Sequence, residues 1–250
     1  MSEISASGVS GLATKRPLTL IPIHGVPEVG SGDALATLIA DAADAQGTPL
    51  RDGDCVVVTQ KVVSKAEGRI VELDSEDRVA RRALVEAESV RILRRRGDLL
   101  ITETRHGFVC ANAGVDLSNM ADGFAALLPL DSDKSAKRIR DALRATRGVE
   151  VAIVVSDTFG RAWRNGLTDV AIGVSGLAAV VDLRGTPDAL GRELQVTEVA
   201  IADEVAGAAE LVMGKATGVP AAIVRGLDPG WRQEGSARDL VRPAANDLFR

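Results

Sequence analysis

The 250-residue chain contains no tyrosine, and aromatic residues make up only 2% of it. A nucleobase or another flat ring would therefore find few side chains to stack on, and backbone and aliphatic contacts would have to hold it. Only two cysteines occur, Cys55 and Cys110, and each lies in an apolar stretch without the paired spacing of a zinc site. We expect both to be buried thiols in a reducing compartment.

The sequence also lacks long apolar runs, an export signal and a large excess of charge of one sign. The longest nearly apolar stretches, 151–155 and 173–181, fall short of the roughly 20 residues that span a membrane. The first 16 residues lack the basic cluster and apolar run of a secretion signal. The formal net charge of −5 comes from interspersed acidic and basic residues, which argues against nucleic acid as a partner. We expect a cytoplasmic protein that binds neither membrane nor nucleic acid.

Alternating helical and strand-like patterns predict a mixed α/β (α+β) fold in which strands and hairpins have flanking helices. The predicted strands are 18–23, 55–59, 99–102, 108–111, 151–155 and 221–225, with small-residue strands around 170–181. The predicted helices are 34–45, 78–96, 135–147 and 197–213. Ser135 is expected to cap the third helix, and Gly148 and Gly214 to end the third and fourth.

The same patterns divide the chain into three parts. Residues 1–17 form a loose N-terminal segment, 18–227 form the main domain, which could contain two subdomains, and 228–250 form a C-terminal tail or linker. The segment 60–68 is predicted to be a loop. The polar tail after Gly226 is expected to be loosely packed.

Two aspartates follow strand-like runs in turns rich in Gly and Asn: Asp116 in NAGVDLSN and Asp157 in VVSDTFGRAWRNG. Carboxylates at strand ends can converge on a hard divalent cation such as Mg²⁺ or Mn²⁺. A hydroxyl such as that of Thr158, or substrate phosphates, would complete its oxygen shell. Alternatively, each aspartate only caps its turn, because Asp and Asn are favoured in turns.

Cationic side chains follow the same strands. Lys65 in TQKVVSKAEGR could meet phosphate oxygens or simply be solvated. Arg161, Arg164 and Asn165 follow Asp157 and would lie on the same rim, where they could bind a substrate anion or form surface salt bridges. The turn GVPEVGSGD could present N–H groups to an anion, whereas GxxxxGK[ST], GxGxxG and GxSxG motifs are absent.

An ordered series of segments resembles the coenzyme F-420:L-glutamate ligase family over about residues 20–227. The segments are LIPIHGVPEVGSGD, DGDCVVVTQKVVSKAEGR, CANAGVDLSNM, LLPLDSDKSA, VVSDTFGRAWRNGLTDVAIGVSG, ELQVTEVAIADEVAGAAELVMG and VPAAIVRG. The resemblance implies an intertwined homodimer that uses GTP to add L-glutamate to a deazaflavin phospholactate. The actinobacterial type is most similar; there a flavin-binding nitroreductase-like domain often follows the ligase domain. This sequence stops near that point, so we expect the ligase domain alone.

The resemblance also assigns residues to the site. The GTP contacts would be Val26, Pro27, Glu28, Val29, Gln60, Lys65, Asn119, Met213, Gly214 and Lys215. The catalytic residues would be Asp116, Asp157 and Lys65. Asp116 and Asp157 would bind one Mg²⁺ or Mn²⁺ ion and Thr158 a second, and K⁺ could be a further ion.

Two positions depart from the family pattern. Archaeal members carry an acid in a Gly-rich loop where this chain has Lys215, so the second ion would need another ligand such as Glu193 or water. Alternatively, the lysine would neutralise phosphate charge directly. Archaeal relatives also tend to carry Ser at the position of Gln60.

By the same resemblance, GTP phosphorylates the terminal carboxylate of the substrate, and the α-amine of glutamate attacks the acyl phosphate to form an amide. Later additions would be γ-linked. Phosphoryl transfer between anions demands charge neutralisation and alignment, not a protein nucleophile. Two other interpretations stay open: a metal-dependent nucleotide phosphohydrolase and a non-catalytic GTP-binding module.

Overall fold

The computed structural model describes residues 17–118 and 122–247. The strands are β1 Thr19–Pro22, β2 Cys55–Thr59, β3 Ile70–Glu72, β4 Ser89–Arg96, β5 Leu99–Thr104, β6 Val109–Ala111, β7 Phe124–Ala126, β8 Ala152–Arg161, β9 Arg164–Ser175, β10 Val181–Asp182, β11 Glu198–Val199 and β12 Ala221–Arg225. The α-helices are α1 Leu35–Ala45, α2 Gln60–Ala66, α3 Arg78–Ala87, α4 Ser132–Arg147 and α5 Ile201–Met213. This mixture of helices, antiparallel hairpins and one parallel strand pair confirms the predicted α+β class.

A five-stranded sheet forms the centre, in the order β1-β12-β2-β8-β9. Neighbours are antiparallel except β2 and β8, which run parallel with Thr59 opposite Ser156. β2 and the first half of β8 are apolar and buried, as expected for strands covered on both faces. Helices α4 and α5 pack against β8 and β9, and α1 packs against α4. The carboxyl ends of β2 and β8 therefore lie side by side at one edge of a rigid sheet.

Helix α4 approaches β9 so closely that only glycine fits between them. A Cβ atom added to Gly173 would lie 2.3 Å from the carbonyl oxygen of Ser132. The predicted end of this helix is confirmed, because Gly148 adopts the left-handed conformation at the C-cap. The predicted cap Ser135 is wrong: Asp131 caps the helix, its side chain accepting the N–H of Lys134.

A smaller, highly charged region spans residues 70–126. It contains the antiparallel pair β3-β7 and the three-stranded sheet β4-β5-β6, against which α3 packs. Its own core is small and consists of Val85, Leu100 and Ala113, with Ile92 and Val115 partly buried beside it. The predicted hairpin is confirmed by the pairing of β5 with β6.

Two predicted element types are wrong in this half of the chain. The predicted loop 60–68 contains helix α2. The buried side-chain amide of Gln60 fixes the position of this helix, because it donates hydrogen bonds to Ser64 Oγ (2.6 Å) and to the Leu127 carbonyl (3.0 Å). The predicted helix 78–96 stops at Ala87, and β4 follows because it pairs with β5. The partner that decides the local structure is distant in sequence for α2, whereas for β4 it is the next strand of a hairpin.

The later elements differ from prediction mainly in length. β8 continues beyond the predicted 151–155, since pairing with β9 extends it, so that Asp157 lies within the strand rather than just after it. Helix α5 begins at Ile201, later than predicted, and ends before Gly214 as predicted. The tail is not loosely packed throughout, because Ala237 is buried and its N–H donates to Asp133 of α4.

Among the described helices, none combines the length and the apolar character that a membrane crossing requires. Cys55 and Cys110 are free and buried, as predicted. Burial raises the pKa of both thiols, that of Cys110 to about 12. Neither thiol is therefore an activated nucleophile at neutral pH.

Candidate active site

The β8–β9 ladder holds a buried carboxylate, Asp169, which sequence reasoning missed. Asp169 lies opposite Thr158 and is only 2% exposed. It accepts hydrogen bonds from Thr158 Oγ1 (2.7 Å) and Ser156 Oγ (3.1 Å). A signal was present in LTDVAIGVSG, because an aspartate in an apolar strand is rarely buried without a specific partner.

Asp157 sits beside this pair, and its charge is poorly compensated. Its carboxylate accepts the N–H of Thr158 (2.8 Å) and forms no ion pair with any described residue. Burial raises the pKa of Asp157 to about 7, and the negative charges of Asp116 and Asp169 contribute to the rise. The charges of Asp116 and Asp157 therefore interact, and a shared cation stays a prediction.

Asp116 is held by a lysine that sequence reasoning also missed. The backbone of Asp116 bridges to Ala126, and its Oδ2 lies 2.9 Å from Nζ of Lys61 on α2. Ser118 donates its N–H to Asp116 (2.7 Å), and its Oγ lies 2.9 Å from Lys61 Nζ. Burial favours a higher pKa for Asp116, but the hydrogen bonds from Lys61 and Ser118 outweigh it and lower the pKa.

A second ammonium group, that of Lys215, also contacts the acidic residues of the site. Lys215 follows Gly214, where α5 ends, and its Nζ lies 2.6 Å from Asp169 Oδ1 and 2.9 Å from Glu210 Oε1. It also contacts Thr158 Oγ1. Burial acts to lower the pKa of Lys215, but hydrogen bonds to Asp169 and Glu210 dominate and raise it. Lys215 is therefore charged.

A groove of about 420 Å³ lies beside α2. It is lined by residues 28–31, by Lys65 and Gly68, and by Ile70 and Phe124. Lys65 forms an ion pair with Glu28 at its edge. Lys61 and Lys65 are four residues apart on α2 and thus share one helix face. Helix α2 therefore connects the groove, where two predicted GTP-binding segments meet, to the aspartate centre.

Other predicted nucleotide contacts have different environments. The side chains of Gln60 and Met213 are buried, the former in the hydrogen bonds that pin α2 and the latter in the apolar core. They serve the fold and do not face the groove. Of the turn, Val26 and Val29 pack towards the core, whereas Pro27 is exposed. Asn119 lies outside the described residues.

The predicted anion-binding residues lie at the tip of the β8–β9 hairpin and not beside Asp157. Arg161 and Arg164 face each other there, and Asn165 is likewise exposed. Arg161 is four residues further along the extended strand than Asp157, which corresponds to about 13 Å. The expectation that these residues lie beside Asp157 is therefore wrong within one chain, because they are at the far end of the β8–β9 hairpin.

The donor set suits a hard cation. Carboxylate and hydroxyl oxygens are the ligands that Mg²⁺ and Mn²⁺ prefer, and Asp157 offers a carboxylate whose charge is unbalanced. Among the described residues, no three His, Cys, Asp or Glu side chains are grouped as a metal site. A divalent ion at Asp116 and Asp157 would therefore need further oxygen ligands, such as the phosphates of a nucleotide.

Comparisons with known proteins match this chain over most of its length. The sequence profile of a family described as F420-0:Gamma-glutamyl ligase matches residues 25–226. A protein named coenzyme F420:L-glutamate ligase from Methanothermobacter thermautotrophicus is 46% identical over 93% of this chain and 99% of its own length. Proteins of the same name from Methanopyrus kandleri and Archaeoglobus fulgidus are 44% and 37% identical, covering 97% and 92% of this chain and 100% and 96% of their own lengths.

Proposed function

The chain belongs to the F420-0:gamma-glutamyl ligase family, and we propose that it uses GTP to join L-glutamate to a deazaflavin phospholactate. As a member of this family it is a ligase that acts in coenzyme F420 biosynthesis. The observation that carries the proposed use of GTP is the placement of α2. One face of this helix bears Lys65 at an open groove and Lys61 at Asp116.

The nucleotide would lie along the groove with its terminal phosphates towards Asp116 and Asp157. Lys65 would exchange its exposed partner Glu28 for phosphate oxygens, since an ammonium group forms stronger hydrogen bonds to an anion that carries more charge. A divalent cation, when bound at the two aspartates, would neutralise charge on the transferred phosphoryl group. The protein's own contribution is therefore alignment and electrostatic stabilisation.

The reaction proceeds in two steps. An oxygen of the substrate's terminal carboxylate attacks the γ-phosphorus of GTP, the bond from that phosphorus to the bridging oxygen breaks, and GDP leaves. The α-amine of glutamate then attacks the carbonyl carbon of the acyl phosphate. Inorganic phosphate leaves with its C–O bond electrons, the amine loses a proton to solvent, and the amide remains.

A homodimer is part of the proposal. The tip of the β8–β9 hairpin exposes Trp163 (78%) and Leu167 (69%), and α5 exposes Leu211 (81%). Such large apolar groups are typical of a surface that another chain covers. In a dimer, the hairpin would bring Arg161 and Arg164 to the neighbouring subunit. Light scattering should give the mass of a dimer, and Trp163→Ser with Leu167→Ser should shift it towards the monomer.

We also place the protein in the cytoplasm. Its two cysteines are buried and free, as is usual for proteins of reducing compartments.

The reaction class can be tested directly by product mass. The protein would be incubated with GTP, Mn²⁺, L-glutamate and the glutamate-free deazaflavin phospholactate. Stepwise mass gains of one glutamyl unit, with GDP formed, are expected. Release of phosphate from GTP without any glutamyl product would indicate a phosphohydrolase instead. Binding of GTP without turnover would indicate a non-catalytic module.

The role of Asp157 has a matched control in Asp182. Asp157→Asn removes a charge with little change in volume and should lower kcat by about a hundredfold or more, because the cation that would neutralise phosphate charge loses a carboxylate ligand. Asp182 is exposed and pairs only locally with Arg184, so Asp182→Asn should retain wild-type activity. Wild-type kcat in the Asp157 variant would remove this residue from the catalytic centre.

A further inference from the structure

Three oxygen atoms from different elements converge on the ammonium group of Lys215. They come from Thr158 in β8, Asp169 in β9 and Glu210 in α5. Asp169 is buried, and the side chain of Glu210 is only 18% exposed, although the stem of Lys215 reaches in from the surface. Two carboxylates and one hydroxyl are typical ligands of a divalent cation. In this protein the ammonium group of Lys215 lies between these oxygens instead.

The ion pair between Lys215 and Asp169 differs from the exposed ion pairs of the protein surface. Lys137 and Asp141, for example, are both exposed and adjacent on one helix, and such pairs contribute little. The carboxylates of exposed pairs are hydrated when the pair is broken. The carboxylate of Asp169 is buried within the sheet, so water could not replace Lys215 there. Removal of the ammonium would leave the buried charge of Asp169 without a cationic partner, which is strongly unfavourable.

The charge balance of the site leaves room for a single divalent ion. The cluster contains four carboxylates and two ammonium groups, which leaves two negative charges; its members are Asp116, Asp157, Asp169, Glu210, Lys61 and Lys215. One divalent ion at Asp116 and Asp157 neutralises the cluster. A second ion at Thr158 and Asp169 would have to displace Lys215 from its three oxygen partners.

We infer that Lys215 replaces the second metal ion, so that each site of this enzyme binds one divalent cation, at Asp116 and Asp157, and a fixed ammonium group at Thr158 and Asp169. The inference rests on the proposed function, because it concerns the same site. It differs from the expectation of two metal ions and assigns Thr158 a lysine as its cationic partner. Lys215 is thus a positioning residue that orders Thr158 and Asp169 without metal.

Counting bound Mn²⁺ tests the inference without any activity measurement. The full chain would be titrated with Mn²⁺ in the presence of a non-hydrolysable GTP analogue, and free Mn²⁺ would be followed by electron paramagnetic resonance. The wild type should bind about one Mn²⁺ per chain above the amount that the analogue binds alone. Lys215→Met keeps the length but frees Asp169 and Glu210, so it should bind about two.

Two further variants complete the design. Lys137→Met removes an exposed lysine and should bind one Mn²⁺, and Lys215→Arg keeps the charge and should also bind one. If Lys215→Met folds poorly, Mn²⁺ should raise its melting temperature far more than that of the wild type, since the ion would compensate Asp169. Absence of such a shift would contradict the inference.

The outcomes separate this inference from the proposed function. Two Mn²⁺ ions on the wild type would overturn the inference while leaving the ligase mechanism intact. One Mn²⁺ on both the wild type and Lys215→Met would also overturn it, because the freed carboxylates would then not form a cation position. No Mn²⁺ on the wild type would refute the metal centre of the proposed function, and the inference with it.

Discussion

The five-stranded sheet and the charged region 70–126 contribute to the site in different ways. The sheet has long apolar strands buried on both faces, and it places Asp157, Thr158 and Asp169 at fixed positions on β8 and β9. The charged region has a core of three buried residues and contributes Asp116, whose backbone bridges to Ala126 of the same region and whose carboxylate is paired with Lys61 of α2. The sheet therefore forms the rigid half of the site, and the charged region forms the half that a few polar contacts hold in position.

This difference also concerns stability. The ion pairs of Arg82 with Glu86 and of Arg78 with Asp98 in the charged region are exposed and are worth about 0–1 kcal/mol each. The central sheet instead buries apolar side chains almost completely. Most of the free energy of unfolding should therefore come from the sheet and its helices.

The largest expected effect is a core truncation in the rigid half. Leu143 on α4 is fully buried against the sheet, and Leu100 is the corresponding leucine of the small core. Leu143→Ala should lower the free energy of unfolding by about 3–4 kcal/mol, and Leu100→Ala by about 2 kcal/mol, because the small core can relax around the cavity. Urea denaturation measures both, and equal losses would mean that the two regions are equally well packed.

The next effect comes from the unbalanced charge of Asp157. Its pKa in the folded protein is about 7, above the ordinary value of 3.8, so the folded state holds its proton more tightly. Stability from this group is complete below about pH 4 and is lost as the pH rises through 7. In EDTA, Asp157→Asn should therefore be more stable than the wild type at pH 8, by about 1–2 kcal/mol after solvent screening, and not at pH 4.

A constant difference between these two proteins across the pH range would contradict this explanation. The raised pKa of Asp157 would then not be the source of the stability change.

The smallest effect concerns the contact that joins the two halves. Lys61→Met removes the partner of Asp116, so the pKa of Asp116 should rise and the free energy of unfolding should fall by about 1 kcal/mol. Lys137→Met removes an exposed pair with Asp141 and should change stability by less than about 0.5 kcal/mol. NMR titration of the Asp116 carboxylate and urea denaturation would check both. An unchanged pKa in the Lys61 variant would show that this contact does not position Asp116.

The sequence was sufficient for the fold class and for two of the three site candidates on the sheet, because apolar β-branched runs identify buried strands and the residues that follow them. Asp157 and Thr158 were found in this way. Lys61 and Asp169 were missed, since a lysine on a short helix and an aspartate in a strand acquire their roles only through partners distant in sequence.

Similar limits explain the errors in secondary structure. Helix α2 depends on the contact of Gln60 with Leu127, which is distant in sequence. Strand β4 depends on its hairpin with β5, and its charged sequence suggested the solvated face of a helix. The burial of the Gln60 amide could not be read from its neighbours in sequence, and its nucleotide contact stays a prediction.

The affinity for Mn²⁺ tests most directly whether Asp116 and Asp157 share one cation. Isothermal titration with the GTP analogue present would compare the wild type, Asp116→Asn, Asp157→Asn, the double variant and the control Asp182→Asn. Each single change at the centre should weaken Mn²⁺ binding by about tenfold or more, and the double variant should lose the site, while the control binds normally. Wild-type Mn²⁺ affinity in both single variants would show that the two carboxylates do not hold the ion.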